Sequence, residues 1–169
     1  MSANIIKKIT DLERPSRGAP RRGMIDPAGS GNSPPLSYEP RVSMVDDLNG
    51  KAVVDGRTIR QLRELSTAEN RHFVERFIEL YLRDATVLVA RIAECAGLGD
   101  RAELEAMAHK LKGSSLNIGA MQVAELCRRL EERGKSGALD DTPVLAERLQ
   151  ELFITAAREL ERIKSQPVA

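Results

Sequence analysis

Mostly apolar residues recur at three- and four-residue intervals in four consecutive segments between residues 73 and 163. This spacing places apolar side chains on one face of an α-helix and polar side chains on the other. The stripes are Phe73, Phe77, Leu80, Tyr81, Leu88 and Ile92; Leu104, Ala108, Leu111, Ser115 and Ile118; Val123, Cys127 and Leu130; and Leu145, Leu149, Leu152, Ala156, Leu160 and Ile163. Amphipathic helices joined by short loops predict an all-α fold, an antiparallel four-helix bundle.

Local signals give the helices their predicted starts. Ser66 with Glu69, and Asp100 with Glu103, have the spacing of a capping box, in which two side chains satisfy backbone N–H groups at a helix start. Thr142 followed by Pro143 has the pattern of a cap and a proline at the first helical position.

The predicted helix ends coincide with glycines or turns. A short extra helix at about residues 57–65 is expected to pack across one end of the bundle. The second helix should run to about residue 95, the third to 117–119, the fourth from 120 to about 133, and the last to about 163. Glycines at 97 and 99 end the second helix, and Gly134 and Gly137 are expected to mark a break after the fourth.

Composition excludes several function classes. The 169 residues include 26 basic and 25 acidic ones, so the net charge of +1 favours neither nucleic acid nor an anionic membrane. Aromatic residues make up only 3%, which suits an aliphatic helical core better than a base-stacking surface. No apolar run approaches about 18 residues and no signal peptide is present, so we expect a cytoplasmic protein without direct membrane insertion.

Cys95 and Cys127 lack metal-ligand spacing and are expected to be buried free thiols.

Residues 1–50 differ in composition from the rest of the chain. They contain six of the eight prolines, together with several glycines and serines. Such a stretch cannot bury enough apolar surface to offset its ordering entropy, so we expect a flexible linker or tail before a domain at 51–169. Residues 4–13 are the exception, because their apolar spacing predicts a short helix. The basic residues at this end predict a solvated tail, with weak nucleic-acid or lipid contact as the alternative.

One histidine lies on the solvent side of its predicted helix. His109 falls about 140° from the apolar stripe that contains Ala108 and Leu111. Lys112 lies one turn away, and Gly113 costs the helix about 1 kcal/mol relative to alanine. The missing side chain lowers the surface beside the imidazole, so the backbone of another protein could come close. The pattern indicates a docking face with a reactive group at its centre.

The thirteen residues from 108 to 120, AHKLKGSSLNIGA, resemble the signature of histidine-containing phosphotransfer (HPt) domains. The family pattern looks like A-H-x-L-K-G-[SA]-[SA]-x-x-x-G-A on the second of four bundled helices, and the match has no gap. The resemblance covers roughly two thirds of the chain and leaves out residues 1–50. It implies that His109 accepts a phosphoryl group from an aspartyl phosphate on a receiver domain and passes it to a response-regulator aspartate.

The resemblance also implies roles for the neighbours of His109. Lys112 would offset phosphoryl charge, and Gly113 would give the partner clearance. Family members often carry a polar residue on the following helix that holds the imidazole by a hydrogen bond. Folding the chain back at the turn near residue 118 brings residues 128–131 to the level of His109. Glu131 is the candidate for that hydrogen bond, because Gln122 lies too near the turn.

Further positions complete the predicted site. Glu105, Ala106 and Leu116 are the predicted partner-docking residues, with Leu116 supplying an apolar contact. Ser114 is a weaker candidate for contact with the phosphoryl group. Ser115 points toward the core, where its hydroxyl is expected to return to a backbone carbonyl of the previous turn.

The resemblance implies a carrier that works on partner proteins. No carboxylate cluster near His109 suggests a metal site of its own, so Mg²⁺ is expected on the partner receiver domain. We expect a monomeric phosphohistidine carrier that is not autonomously catalytic and that meets receiver domains of response regulators or of a hybrid sensor kinase. The proline- and glycine-rich tether favours the interpretation that the chain is the C-terminal part of a hybrid kinase, tethered to an inner-membrane sensor. The starting Met1 leaves a free-standing relay protein as the alternative.

Other function classes compete with this interpretation. The dimerisation helices of histidine kinases normally have an acidic residue after the histidine and a proline a few residues on. Here Lys110 follows His109, and no proline occurs between residues 40 and 143. A helical docking or scaffold module without phosphotransfer is the main alternative. A hydrolase or transferase is disfavoured because no second histidine or paired carboxylate accompanies His109, and His72 is expected to be a structural or surface residue.

Overall fold

The computed structural model describes residues 52–66, 70 and 72–166, and these form helices with no strand among them. The helices are α1 (Gly56–Glu64), α2 (Phe73–Leu98), α3 (Arg101–Ile118), α4 (Met121–Ser136) and α5 (Thr142–Lys164). The predicted all-α class is therefore confirmed. The predicted linker at residues 1–50 and its short helix at 4–13 lie outside the described residues.

The four long helices form a bundle around one core. Helix α2 packs against α3 and α5, and α4 packs against the same two helices, so each long helix has two neighbours. Connections of two to five residues join the helices from α2 onward, which makes consecutive helices antiparallel. The largest fully buried side chains are Phe153, Ile78, Leu82, Ile92, Leu104, Leu111, Ile118, Leu126, Leu130, Leu149, Leu160 and Val89.

Helix α1 lies across the end of the bundle that carries the α3–α4 turn, as expected from its short apolar pattern. Asp55 caps α1 by accepting a hydrogen bond from the Arg57 backbone N–H at 3.0 Å. The Asp55 N–H donates to the Gly119 carbonyl at 2.8 Å, which ties the start of α1 to the turn. Gly119 has φ +81°, and a Cβ there would lie 2.9 Å from Thr58 Cβ. Both observations require glycine at this position.

Two of the predicted helix starts are wrong. Helix α2 begins at Phe73 after His72, which makes no side-chain capping bond, whereas Ser66 lies just after Leu65, the C-cap of α1. The N-cap of α5 is Asp141, not Thr142. The Thr142 hydroxyl donates instead to the Leu139 carbonyl at 2.8 Å, because this buried side chain faces the preceding turn.

The Asp100 cap is formed, but its box is incomplete. The Asp100 carboxylate accepts from the Glu103 backbone N–H at 3.2 Å. The Glu103 carboxylate does not return to Asp100, because it pairs with the Arg91 guanidinium on α2. An ion pair between neighbouring helices thus replaces the second half of the predicted capping box.

Gly134 does not break α4, contrary to the sequence prediction. The helix continues to Ser136 and ends at Gly137, which has φ +75°. Gly134 is buried inside the helix against α3. Because glycine has no Cβ, α3 and α4 can pack closely at this position. The glycine that predicted a helix break is therefore a site of contact between helices.

A buried pair of hydroxyl groups joins two helices in the core. The Ser115 and Tyr81 hydroxyls lie 3.0 Å apart and join α3 to α2, so the predicted bond from Ser115 to a backbone carbonyl is replaced by this pair. Cys95 and Cys127 are buried free thiols, as predicted. Within the described part of the chain, no helix combines the length and apolar character that crossing a membrane requires.

Candidate functional site

Helix α3 presents His109 to solvent by burying its opposite face. Every residue of the predicted stripe, Leu104, Ala108, Leu111, Ser115 and Ile118, is buried. The His109 side chain is 69% exposed. The helical period therefore places the imidazole outside the core on a rigid element.

A buried carboxylate on α4 holds the imidazole. Glu131 Oε1 lies 3.1 Å from His109 Nδ1, and the Glu131 side chain is only 5% exposed. Equal numbers of residues separate His109 and Glu131 from Ala120, at the turn between the two helices. Because antiparallel helices rise equally per residue, these side chains come to the same level. The contact expected from the sequence is present in the structure.

Two ammonium groups pair with the same carboxylate. Lys112 Nζ lies 2.5 Å from Glu131 Oε2, and Lys135 Nζ lies 2.5 Å from Oε1. Hydrogen bonds from Lys112 and then Lys135 lower the pKa of the Glu131 carboxyl to about 2, against the opposing effect of burial, and the bond to His109 adds a smaller lowering. Glu131 is therefore ionised at neutral pH, and its burial is compensated by charged partners.

The ionised carboxylate determines the tautomer of a neutral His109. A carboxylate without a proton can only accept hydrogen bonds, so Nδ1 must be the donor in the 3.1 Å contact. In neutral imidazole the other nitrogen then carries the lone pair. His109 thus presents a nucleophilic Nε2 on an exposed side chain.

Lys112 has a side-chain partner that the sequence did not predict. The sequence places Lys112 one turn from His109, and the structure pairs its ammonium group with Glu131 and leaves its side chain 26% exposed. Lys135, which sequence reasoning missed, is 55% exposed and reaches the same carboxylate. Its spacing of four residues after Glu131 is the signal that could have identified it, since such residues are neighbours on a helix.

The remaining candidates surround His109 on α3. Nothing lies within 4 Å of the position that a Cβ on Gly113 would take, and Leu116 and Ala106 are exposed. Glu105 is half-buried beside α4. The predicted docking positions therefore form one surface around the imidazole.

Two weaker candidates are directed elsewhere. The Ser114 hydroxyl donates to the Leu111 carbonyl at 3.1 Å, a bond within its own helix. Gln122 is buried in the first turn of α4, at the opposite end of that helix from Glu131. In the ranges that the structure describes, no group of three or more His, Cys, Asp and Glu side chains is arranged to hold a metal ion.

Comparisons with known proteins identify the family of the chain. The sequence model of the Hpt domain matches residues 76–164, more than half of the chain and the whole of the site. The chain belongs to the Hpt domain family. The matched region contains His109, Glu131 and both lysines, so the residues brought together by α3 and α4 all lie inside the Hpt domain.

Relatives of the Hpt domain come from plants, yeast and bacteria. Histidine-containing phosphotransfer protein 4 of Arabidopsis thaliana is 30% identical over 60% of this chain and 81% of its own length. Multistep phosphorelay regulator 1 of Schizosaccharomyces pombe is 25% identical over 62% of this chain, which spans only 35% of that protein. The crystal structure of histidine-containing phosphotransfer protein B from Pseudomonas aeruginosa PAO1 has the same fold, with a TM-score of 0.62 at 24% identity over 69% of this chain and 97% of that one.

Membership in the Hpt family supports a phosphorelay intermediate. It does not favour the competing interpretation, a helical docking module that carries no phosphoryl group.

Proposed function

We propose that His109 is the phosphoacceptor of this Hpt domain, taking a phosphoryl group from the aspartyl phosphate of one receiver domain and passing it to the aspartate of a response regulator. The observation that carries the proposal is the contact between Nδ1 of the exposed His109 and the buried, ionised Glu131. This contact leaves Nε2 free to react, while the hydrogen bond from Nδ1 to Glu131 fixes the orientation of the ring.

The arrangement supports nucleophilic attack without a separate base. In the forward step the Nε2 lone pair forms a bond to phosphorus, and the bond between phosphorus and the aspartyl oxygen breaks, releasing a carboxylate on the donor. The Nδ1 proton stays in place, so the phosphorylated ring is cationic. The adjacent Glu131 carboxylate stabilises that cation, much as a buried aspartate orients and stabilises the histidine of a catalytic triad. In the return step a carboxylate oxygen of the next aspartate forms a bond to phosphorus and the Nε2–phosphorus bond breaks, which leaves neutral imidazole on His109.

The two lysines supply positive charge to the phosphoryl group. Lys112 and Lys135 share one carboxylate, so the cluster of Glu131 with these lysines carries one net positive charge. The proposal is that one ammonium group turns toward the phosphoryl oxygens while the other keeps its bond to Glu131. Charge neutralisation of this kind is a main requirement of phosphoryl transfer.

The surface around His109 suits close approach of a receiver domain. Gly113 leaves the helix surface open, and Leu116, Ala106 and Glu105 border it with apolar and polar contacts. Any Mg²⁺ used in transfer is assigned to the receiver domain. The domain would act as a monomeric carrier without autonomous catalysis.

The wider setting is part of the same proposal. We place the domain in the cytoplasm, either free-standing or tethered through its proline- and glycine-rich residues 1–50 to a sensor kinase. The composition of that segment supports a tether, because such linkers keep a partner at high effective concentration.

Transfer of phosphate from a phosphorylated receiver domain tests the proposal. Wild-type protein should acquire an acid-labile, base-stable label, whereas His109→Gln should acquire none. His72→Gln is the matched control, because His72 is the other exposed histidine and lies at the start of α2. Equal labelling of the wild type and His109→Gln would refute the assignment. A lack of label from several receivers would favour the docking module.

A further inference from the structure

Helices α3 and α4 are in close contact at Gly134, near the His109 site. A Cβ built on Gly134 would lie 2.9 Å from the Arg101 carbonyl oxygen, 2.9 Å from Glu105 Cβ and 3.1 Å from Glu105 Cα. Two of these three atoms belong to the backbone and cannot rotate away. Any side chain at this position would therefore push the helices apart.

This contact is adjacent, along both helices, to the hydrogen bond between His109 and Glu131. Glu105 lies one turn before His109 on α3, and Gly134 lies three residues after Glu131 on α4. Relieving a 2.9 Å contact to an ordinary separation of about 3.4 Å or more requires the helices to part by about 0.5 Å. The same displacement would stretch the 3.1 Å contact between His109 Nδ1 and Glu131 to about 3.6 Å, beyond hydrogen-bonding distance.

We propose that Gly134 is a positioning residue for phosphotransfer, which sets the separation of α3 and α4 at which Glu131 reaches the His109 imidazole. This inference rests on the proposed role of His109. It also explains why glycine stands inside a helix where it makes no turn. The helical Gly97 differs, because a Cβ there would meet nothing within 4 Å.

The tautomer of His109 provides the first test, and it requires no partner protein. Nitrogen NMR of the neutral wild-type imidazole should show the proton on Nδ1, and Gly134→Ala should move a substantial fraction of it to Nε2. Gly97→Ala is the matched control and should leave the tautomer unchanged. If Gly134→Ala melts below the measuring temperature, sucrose keeps the compact state populated. A folded Gly134→Ala variant with the wild-type tautomer would overturn the inference.

A double-mutant cycle separates positioning from general damage. Gly134→Ala should slow transfer from a phosphorylated receiver about tenfold, as expected for a misplacement of less than 1 Å. In a Glu131→Ala background the same substitution should have almost no further effect, because the contact it acts through is already gone. Equal slowing in both backgrounds would also overturn the inference. If His109 is not the phosphoacceptor, the transfer assay fails while the tautomer still reports on Gly134.

Discussion

Replacing Glu131 with glutamine keeps the shape of the side chain but removes the charge that holds two ammonium groups. Hydrogen bonds to charged groups contribute about 1.5–3 kcal/mol each. Lys112 and Lys135 are partly exposed and can regain water when the carboxylate is lost, which keeps the cost near the lower end of that range. We expect Glu131→Gln to lower the free energy of unfolding at pH 7 by about 2 kcal/mol.

The pH dependence of that loss follows from the pKa of Glu131. The folded protein holds this pKa at about 2, below its ordinary value of 4.5. A carboxyl group with a lowered folded pKa stabilises the fold above the unfolded pKa, and this stability is lost as the pH falls toward the folded pKa. The difference between wild type and Glu131→Gln should therefore be full at neutral pH, shrink below about pH 4.5 and be smallest near pH 2.

Urea unfolding of both proteins across this pH range measures the difference. At neutral pH the loss corresponds to a fall in Tm of roughly 8 °C for a domain of this size. Glu132→Gln is the control, since Glu132 is the exposed neighbour, and it should change stability by less than about 0.5 kcal/mol. A stability difference that stays constant from pH 7 to pH 3, or a more stable glutamine variant at pH 7, would refute the reasoning.

Three further substitutions test other parts of the structure. Gly119→Ala should destabilise the fold by about 2–3 kcal/mol in urea unfolding, because alanine disfavours φ +81° and its Cβ would meet Thr58 at 2.9 Å. Tyr81→Phe should lower the free energy of unfolding by about 1 kcal/mol in the same assay, because the buried Ser115 hydroxyl loses its partner. Adding Ser115→Ala should restore part of the lost stability. Lys135→Met should slow transfer from a phosphorylated receiver three- to tenfold, which corresponds to an electrostatic loss of about 1 kcal/mol. The difference in rate should diminish at high salt. An unchanged rate would show that Lys135 takes no part in transfer.

Much of the fold follows from the sequence because helix burial obeys a single period. The stripe from Leu104 to Ile118 is buried as predicted, and the same period places His109 on the opposite side. The level of Glu131 follows from counting residues on either side of the turn at Ala120. Helix geometry gave the range 128–131, and the choice of Glu131 within that range also used the resemblance to Hpt domains, whose members often carry a polar residue there.

Contacts between helices account for what the sequence could not predict. Glu103 has the spacing of a capping box, yet its carboxylate finds Arg91 on a neighbouring helix. Gly134 has the identity of a helix stop, yet the close approach of α3 requires it. In both cases the local sequence matched a known helix-end pattern. A residue distant in sequence, on a neighbouring helix, determined what the side chain contacts.

The charge on Glu131 connects stability with the proposed chemistry. A neutral residue at this position could also accept a hydrogen bond from Nδ1, but it would neither hold Lys112 and Lys135 nor stabilise a cationic phosphorylated ring. A glutamine carboxamide can also present its NH₂ group to the ring, which removes the fixed preference for a proton on Nδ1. In the folded protein the carboxylate keeps its charge until the pH approaches about 2, so both lysine contacts and the hydrogen bond to Nδ1 persist while the stability difference shrinks below about pH 4.5. The charge of this one buried carboxylate thus links the contact between α3 and α4 to the imidazole nitrogen that the proposal assigns to the reaction.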